Sequence, residues 1–167
     1  MWTELHWADG PWPGRLALAA RPRGGDWLGD EIAGWRWAGV DTVVSLLTSE
    51  EEDDLDLAKE GSEAKALGMD FVSFPIPDRE APRSDSALAE ALEKIDAALS
   101  SAKNVVIHCR QGIGRSGLVA ACLLVSKGES PQAAVERLSA ARGASVPETA
   151  GQRRWIDYYA ALSASAK

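Results

Sequence analysis

A cysteine and an arginine six residues apart have the residue types and the spacing that are most typical of a catalytic site in this chain. Cys109 and Arg115 enclose a short loop, Arg110-Gln111-Gly112-Ile113-Gly114. A glycine-bearing loop that opens onto a helix N-terminus aims backbone N–H groups and the positive end of the helix dipole at one point, which suits phosphate. The same field lowers the pKa of a thiol, and an arginine guanidinium can bind two oxygens of one anion. The loop therefore predicts a phosphate site with Cys109 as nucleophile.

The segments on either side of this loop predict a strand and a helix that hold it. Residues 105–107 are a β-branched apolar run of the length of a buried strand, and residues 118–125 are apolar throughout, as in a buried helix. A free cysteine packed as a small hydrophobic side chain is the alternative for Cys109. It is the favoured interpretation for Cys122.

Strands and helices alternate along the rest of the chain. The sequence predicts strands at residues 16–20, 40–47 and 71–76. It predicts helices at residues 26–39, 84–100 and 131–143, and a last one that begins at Glu148 or Thr149. Alternation of this kind predicts an α/β fold with three layers, in which helices flank a mostly parallel central sheet. In the helix at 26–39, the candidate buried positions are Trp27, Ile32 and either Trp35 or Trp37.

An acidic run at residues 50–54 is interpreted as a helix start with a solvated face, because carboxylates in a first turn complement the helix dipole. A short helix should end at Gly68. Metal binding by the acidic run is the alternative interpretation.

A proline-stiffened loop at residues 75–82 follows the strand at 71–76 and presents a carboxylate. Because an α/β sheet gathers its active groups outside the carboxyl ends of its strands, Asp78 is the predicted general acid for the Cys109 loop. Glu80 is the alternative if the register differs.

Composition restricts the function classes. The 167 residues carry a net charge of −7, from 18 basic and 25 acidic side chains, which argues against nucleic acid or an acidic membrane as partner. We expect an irregular Trp-rich N-terminal arm at residues 1–14 and a single domain at 15–167. Two cysteines do not make a disulfide framework, and a catalytic thiol requires a reducing compartment. With no apolar run of transmembrane length and no secretory signal, the cytoplasm is the expected location.

The phosphate loop, the helix after it and the loop around Asp78 resemble the dual-specificity phosphatases, a cysteine-dependent family whose loop reads His-Cys-x5-Arg-Ser/Thr. The resemblance covers roughly residues 36–160 and is greatest to the cyclin-dependent kinase inhibitor 3 or kinase-associated phosphatase type. It implies a phosphotyrosine phosphatase-like fold and a phosphorylated protein as substrate. Phosphotyrosine is the first candidate for the substrate residue, and phosphoserine and phosphothreonine are further candidates. The resemblance implies neither a metal nor another cofactor.

The resemblance also implies a role for each matching residue. Cys109 attacks phosphorus and forms a cysteinyl-phosphate, and Asp78 protonates the leaving oxygen. Ser116 hydrogen-bonds the sulfur, His108 supports the loop, and Gln152 corresponds to a glutamine that positions water in some relatives. The substrate oxygens are held by the Arg115 guanidinium and by the loop amides, those of Arg110, Gln111, Gly112, Ile113, Gly114 and Arg115.

Several other functions share parts of this pattern. A phosphoinositide or small-molecule phosphatase uses the same chemistry, but extra lysines in the loop would favour it. A catalytically silent phosphate-binding module would lack the nucleophile or the acid, and a sulfurtransferase would gain nothing from Arg115 or Asp78. The chain departs from the kinase-associated relatives in its Trp-rich arm and in Arg79-Glu80, where those enzymes tend to carry glycines. The sequence leaves the oligomeric state open.

Overall fold

The computed structural model describes residues 2–165, and a five-stranded sheet lies at its centre. The strands are β1 (His6–Ala8), β2 (Leu16–Ala19), β3 (Thr42–Ser45), β4 (Asp70–Ser73) and β5 (Val105–His108). They lie in the order β1-β2-β5-β3-β4. β1 and β2 pair antiparallel and all other neighbours pair parallel, which confirms the predicted mostly parallel sheet.

Within residues 2–165, seven α-helices follow a short 3-10 turn at Gly25–Trp27. They are α1 (Leu28–Trp37), α2 (Ser49–Asp54), α3 (Glu60–Ala66), α4 (Asp85–Ser100), α5 (Arg115–Ser126), α6 (Pro131–Arg142) and α7 (Ala150–Ser165). The side chains of Ser84 and Ser130 accept hydrogen bonds from the backbone at the starts of α4 and α6. Gly143 ends α6 in the left-handed conformation that favours glycine.

Helices cover both faces of the sheet and give the three layers. On one face, alternate residues of the central strands, such as Leu18 and Ile107, pack with apolar side chains of α4 to α7. On the other face, Ala17 and Val106 pack with α1 and α3. The predicted three-layer fold is therefore confirmed, with α5 and β5 in its interior.

Two of the candidate buried tryptophans are on the surface. Trp27 is 57% exposed and Trp37 is 81% exposed, whereas Ile32 and Trp35 are fully buried. The reason is that α1 begins only at Leu28, after the 3-10 turn. Its buried stripe therefore follows the helical spacing of 28, 32 and 35.

The N-terminal segment is more ordered than its sequence indicates. Its residues 6–8 form β1, which is too short to show an alternating pattern. Trp12 is buried and its indole donates a hydrogen bond to Asp96, while the Trp35 indole donates one to the carbonyl of Thr3. The division into an arm at 1–14 and a domain at 15–167 stays a prediction. Within residues 2–165, no helix combines the length and apolarity needed to cross a membrane.

Candidate active site

The loop between β5 and α5 is held from outside by its neighbours. Gly112 has a φ of +75°, and a Cβ there would collide with the backbone of Ala19 at the end of β2. The Arg142 guanidinium donates hydrogen bonds to the carbonyl oxygens of Gln111 at 3.0 Å and Gly112 at 3.1 Å. Two loop carbonyls are thus engaged by α6, and the Gly112 amide is left to point at the sulfur of Cys109.

Cys109 lies at the end of β5, and its side chain is almost completely buried. Its Sγ is 3.3 Å from Ser116 Oγ and accepts a hydrogen bond from the Gly112 amide at 3.3 Å. Burial alone would raise the pKa of this thiol, but the hydrogen bonds from Ser116 and Gly112 and the charge of Arg115 outweigh it and lower the pKa. Burial raises the pKa of Cys122, so the two thiols differ sharply in nucleophilic character.

Arg115 begins α5, and its side chain is buried against three other segments. Its guanidinium donates two hydrogen bonds to Glu51, at 2.6 and 2.9 Å, and one to the carbonyl of Ile76 at 2.8 Å. An oxygen of Asp78 lies 3.1 Å from Nη2. These contacts fix the plane of the guanidinium, so its orientation is set before a ligand arrives.

Glu51 is a residue of this site that the sequence interpretation missed. The acidic run was assigned a solvated face, but the Glu51 side chain is only 9% exposed. Burial would raise its pKa, but hydrogen bonds from Arg115 and Thr48 lower it, so the carboxylate is ionised at neutral pH. Thr48 and Glu51 form a capping box at the start of α2, directly after the strand β3, and this capping pattern was the available signal.

A cavity of about 150 Å³ opens above the sulfur of Cys109. Its lining combines the phosphate loop, the loop after β4 and the segment before α7: Asp78, Arg79, Cys109, Arg110, Gln111, Gly114, Arg115 and Glu148. Both predicted reacting side chains, Cys109 and Asp78, face the same space. The Ile113 side chain is half-buried against the core and does not line the cavity.

Glu80 lies farther from this chemistry than Asp78. Its side chain is 54% exposed, its carboxylate lies 3.6 Å from Arg83, and it does not line the cavity. Of the two carboxylates, Asp78 is thus the one that lines the cavity, and its role as general acid stays a prediction.

His108 lies behind the loop, fully buried under Trp35. Its Nε2 is 2.5 Å from Glu60 Oε2, and its Nδ1 is 3.3 Å from the carbonyl oxygen of Cys109. Burial would lower the pKa of this imidazole, but the carboxylate of Glu60 raises it. The histidine thus links α3 to the backbone of the nucleophile and has no place in the cavity. Sequence reasoning did not identify Glu60, which is distant along the chain and has no local motif.

Gln152 lies in the first turn of α7 and is buried against Gly114. Its Oε1 accepts hydrogen bonds from the amides of Glu148 and Thr149, and its Nε2 donates one to the carbonyl of Glu80, all at 3.1 Å. Its amide therefore joins the loop that carries Asp78 to α7. The positioning of water by Gln152 stays a prediction. Among residues 2–165, no cluster of three or more His, Cys, Asp or Glu side chains has a metal-binding arrangement.

Comparison with known proteins places this loop in a family. A sequence model described as "Polymorphic toxin system, DSP-PTPase phosphatase" matches residues 19–129, which is more than half of the chain. The chain belongs to the dual-specificity phosphatase family. The family predicted from the phosphate loop is thereby confirmed.

Individual relatives of this dual-specificity phosphatase agree with that assignment. Cyclin-dependent kinase inhibitor 3 of Sus scrofa is 40% identical over 84 residues, which are 49% of this chain and 39% of the pig protein. The match therefore spans less than half the length of that relative. The crystal structure of Tk-PTP in its active form is 30% identical, with a TM-score of 0.76 over 96% of this chain and 99% of Tk-PTP.

The fold is also that of the kinase-associated phosphatase, whose crystal structure carries a serine in place of its catalytic-site cysteine. That structure matches with a TM-score of 0.90 over 99% of this chain and 98% of the other, at 22% identity. The similarity extends over the described N-terminal segment as well as the phosphate loop.

Proposed function

We propose that this protein is a cysteine-based phosphomonoester hydrolase that acts on phosphotyrosine in proteins, with phosphoserine and phosphothreonine as further candidate substrates. The observation that carries the proposal is the position of Cys109. A thiol with a lowered pKa lies beneath a cavity that also receives Arg115 and Asp78. Nucleophile, anion-binding group and proton donor converge on one space large enough for a phosphate group.

In the first step, the Cys109 thiolate attacks phosphorus and forms an S–P bond while the bond from phosphorus to the substrate oxygen breaks. Asp78 gives its proton to that oxygen, and the product leaves as an alcohol or phenol. The Arg115 guanidinium and the loop amides hold the other phosphate oxygens, where negative charge accumulates in the transition state.

In the second step, water attacks phosphorus and Asp78 takes a proton from it. The S–P bond breaks, and inorganic phosphate leaves. The Ser116 hydroxyl, 3.3 Å from the sulfur, stabilises the thiolate that departs. His108 and Gln152 act from outside the cavity by holding the loops in place.

The substrate class and the location follow from charge and redox chemistry. With a net charge of −7, the chain has no general attraction for a polyanionic surface, so a single phosphate monoester on a protein is the fitting ligand. A thiolate with a lowered pKa is open to oxidation, and the cytoplasm would keep it reduced.

Turnover of p-nitrophenyl phosphate by Cys109→Ser tests the proposal. This variant should lose turnover and still bind vanadate, because Arg115 and the loop amides remain. Cys122→Ala is the matched control, since Cys122 is buried in α5 away from the cavity, and it should keep turnover. Substantial turnover by Cys109→Ser in a purified preparation would refute the proposed nucleophile.

A further inference from the structure

Arg79 is one of three arginines that line the cavity, with Arg110 and Arg115, and it lies at the mouth. It follows Asp78 directly and its side chain lines the same space as Cys109. Unlike Arg115, which is buried, Arg79 has a side chain that is 66% exposed. A phosphate held by Arg115 and the loop amides would leave Arg79 at the rim, next to whatever flanks the phosphorylated residue.

The backbone at Arg79 is unusual for a residue with a side chain. Its φ is +64°, in the left-handed region that glycine adopts without steric cost. Two other non-glycine residues among 2–165, Asp56 and Ala102, have a similar φ, but neither lines the cavity. Residues with a strained backbone cluster at functional sites in folded proteins. A long cationic side chain at a strained position that lines the cavity therefore indicates a functional role.

Glu148 holds the Arg79 side chain across the mouth. Its Oε2 lies 3.3 Å from Arg79 Nη1, and Glu148 also lines the cavity. The two segments that carry this ion pair are also joined, because Gln152 accepts a hydrogen bond from the Glu148 amide and donates one to the carbonyl of Glu80, the residue after Arg79. In the described part of the chain, Glu148 is the one polar partner of this guanidinium, so further N–H donors remain for a ligand.

We propose that Arg79 is a specificity-determining residue that binds an anionic group beside the phosphorylated residue of a protein substrate. That group is a side-chain carboxylate or a second phosphate on the same segment. Glu148 holds the guanidinium until the anion replaces it. The proposal rests on the function proposed above, since it assigns a neighbour to the residue that Cys109 dephosphorylates.

A protein segment fits this rim better than a multiply phosphorylated inositol ring. The carboxylate of Glu148 stands at the mouth and is neutralised by Arg79 alone among the lining cations at close range. A single flanking anion on a protein segment can take the place of the Glu148 carboxylate at Arg79. A ring with several phosphates would bring more negative charge than the rim arginines neutralise and would be repelled by Glu148.

Matched phosphotyrosine peptides test the proposal. Their adjacent position carries glutamine, glutamate, phosphothreonine or lysine, and kcat/KM is measured at one low ionic strength, with a phosphoinositide series alongside. We expect the native protein to favour the glutamate or phosphothreonine peptide over the glutamine peptide by fivefold or more. Arg79→Gly, which relieves the strain, and Arg79→Asn, which tolerates it, should both reduce that preference below twofold.

Arg83 provides the matched control. It lies in the same loop, is 75% exposed and pairs with Glu80, but it does not line the cavity. Arg83→Gln removes the same charge from the same loop and should keep the native preference. Glu148→Gln should lower KM for the anionic peptides, because the competing carboxylate is gone.

Several results would overturn the role of Arg79. They are equal kcat/KM on all four peptides, an equal fall on every peptide and on p-nitrophenyl phosphate in both Arg79 variants, or an Arg79-dependent preference confined to phosphoinositides. Binding of the same peptides to Cys109→Ser, followed by fluorescence anisotropy, needs no turnover. An Arg79-dependent preference in that binding without turnover by the native protein would sustain the anion site and refute the phosphatase function. Absence of the preference in both assays would refute the anion site itself.

Discussion

Glu51 accepts two hydrogen bonds from the guanidinium of Arg115, and Glu51→Gln tests how much of the activity depends on these two bonds. Glutamine keeps the side-chain length and still suits the N3 position of the capping box with Thr48, so the start of α2 should persist. What changes is the contact with Arg115. The carboxylate charge is lost, and one of the two accepting oxygens becomes an NH₂ group that cannot accept.

The size of the effect follows from the contacts that remain. Arg115 keeps the carbonyl of Ile76 and the carboxylate of Asp78, so its side chain stays in the site. A hydrogen bond to a charged group contributes ~1.5–3 kcal/mol. If about 2–3 kcal/mol of this positioning is lost from the transition state, kcat/KM falls by roughly 30- to 150-fold.

The assay is kcat/KM on p-nitrophenyl phosphate and on a phosphotyrosine peptide, with urea denaturation to show that the variant is folded. Glu50→Gln is the control, because Glu50 is exposed in the same first turn and loses the same charge. It should act like the native protein. A folded Glu51→Gln within threefold of native kcat/KM, or an equal fall in Glu50→Gln, would refute the reasoning.

Three further variants probe the rest of the site. Ser116→Ala removes the strongest contribution that lowers the pKa of Cys109, so the midpoint of the pH dependence of iodoacetamide alkylation should move to higher pH, and an unchanged midpoint would contradict that assignment. Asp78→Asn should lower kcat/KM on phosphoserine peptides by ~10²- to 10⁴-fold and less on p-nitrophenyl phosphate, whose leaving group needs little protonation; an equal loss on both would count against a general acid. The raised pKa of His108 means that its pair with Glu60 stabilises the fold fully below the ordinary histidine pKa of 6.5, and that this contribution fades as pH rises through the raised value. Glu60→Gln should therefore cost up to about 3–5 kcal/mol in urea denaturation at pH 6 and progressively less as the pH is raised, and a loss that does not vary with pH would exclude the linkage.

The local part of the site could be predicted from the sequence because its signals are close together along the chain. The strand before Cys109, the glycines of the loop and the apolar helix after it are consecutive, and the fold built from them is the one observed. Asp78 could also be predicted, because parallel strands end at one edge of the sheet and the loop after β4 therefore lies near the loop after β5.

The partners of these residues could not be predicted because they depend on tertiary contacts. Glu51 is 64 residues from Arg115 and lies in a run of five acidic side chains, which has the composition of a solvated helix start. Glu60 likewise contacts His108 only because α3 packs on the sheet. Trp27 was wrongly assigned to the buried face of the first helix because a 3-10 turn precedes Leu28, where α1 begins.

The hydrogen bonds from Arg142 to the carbonyls of Gln111 and Gly112 have a consequence for ligand binding. These bonds tie the phosphate loop to α6 through contacts within the chain, so part of the loss of conformational entropy in the loop accompanies folding and does not oppose binding. An anion thus meets a preorganised cradle, and its affinity reports the fit to that cradle. Inhibitors that require a rearranged loop would have to break the contacts of α6 first, whereas phosphate-like oxyanions that match the existing amides would bind without that penalty.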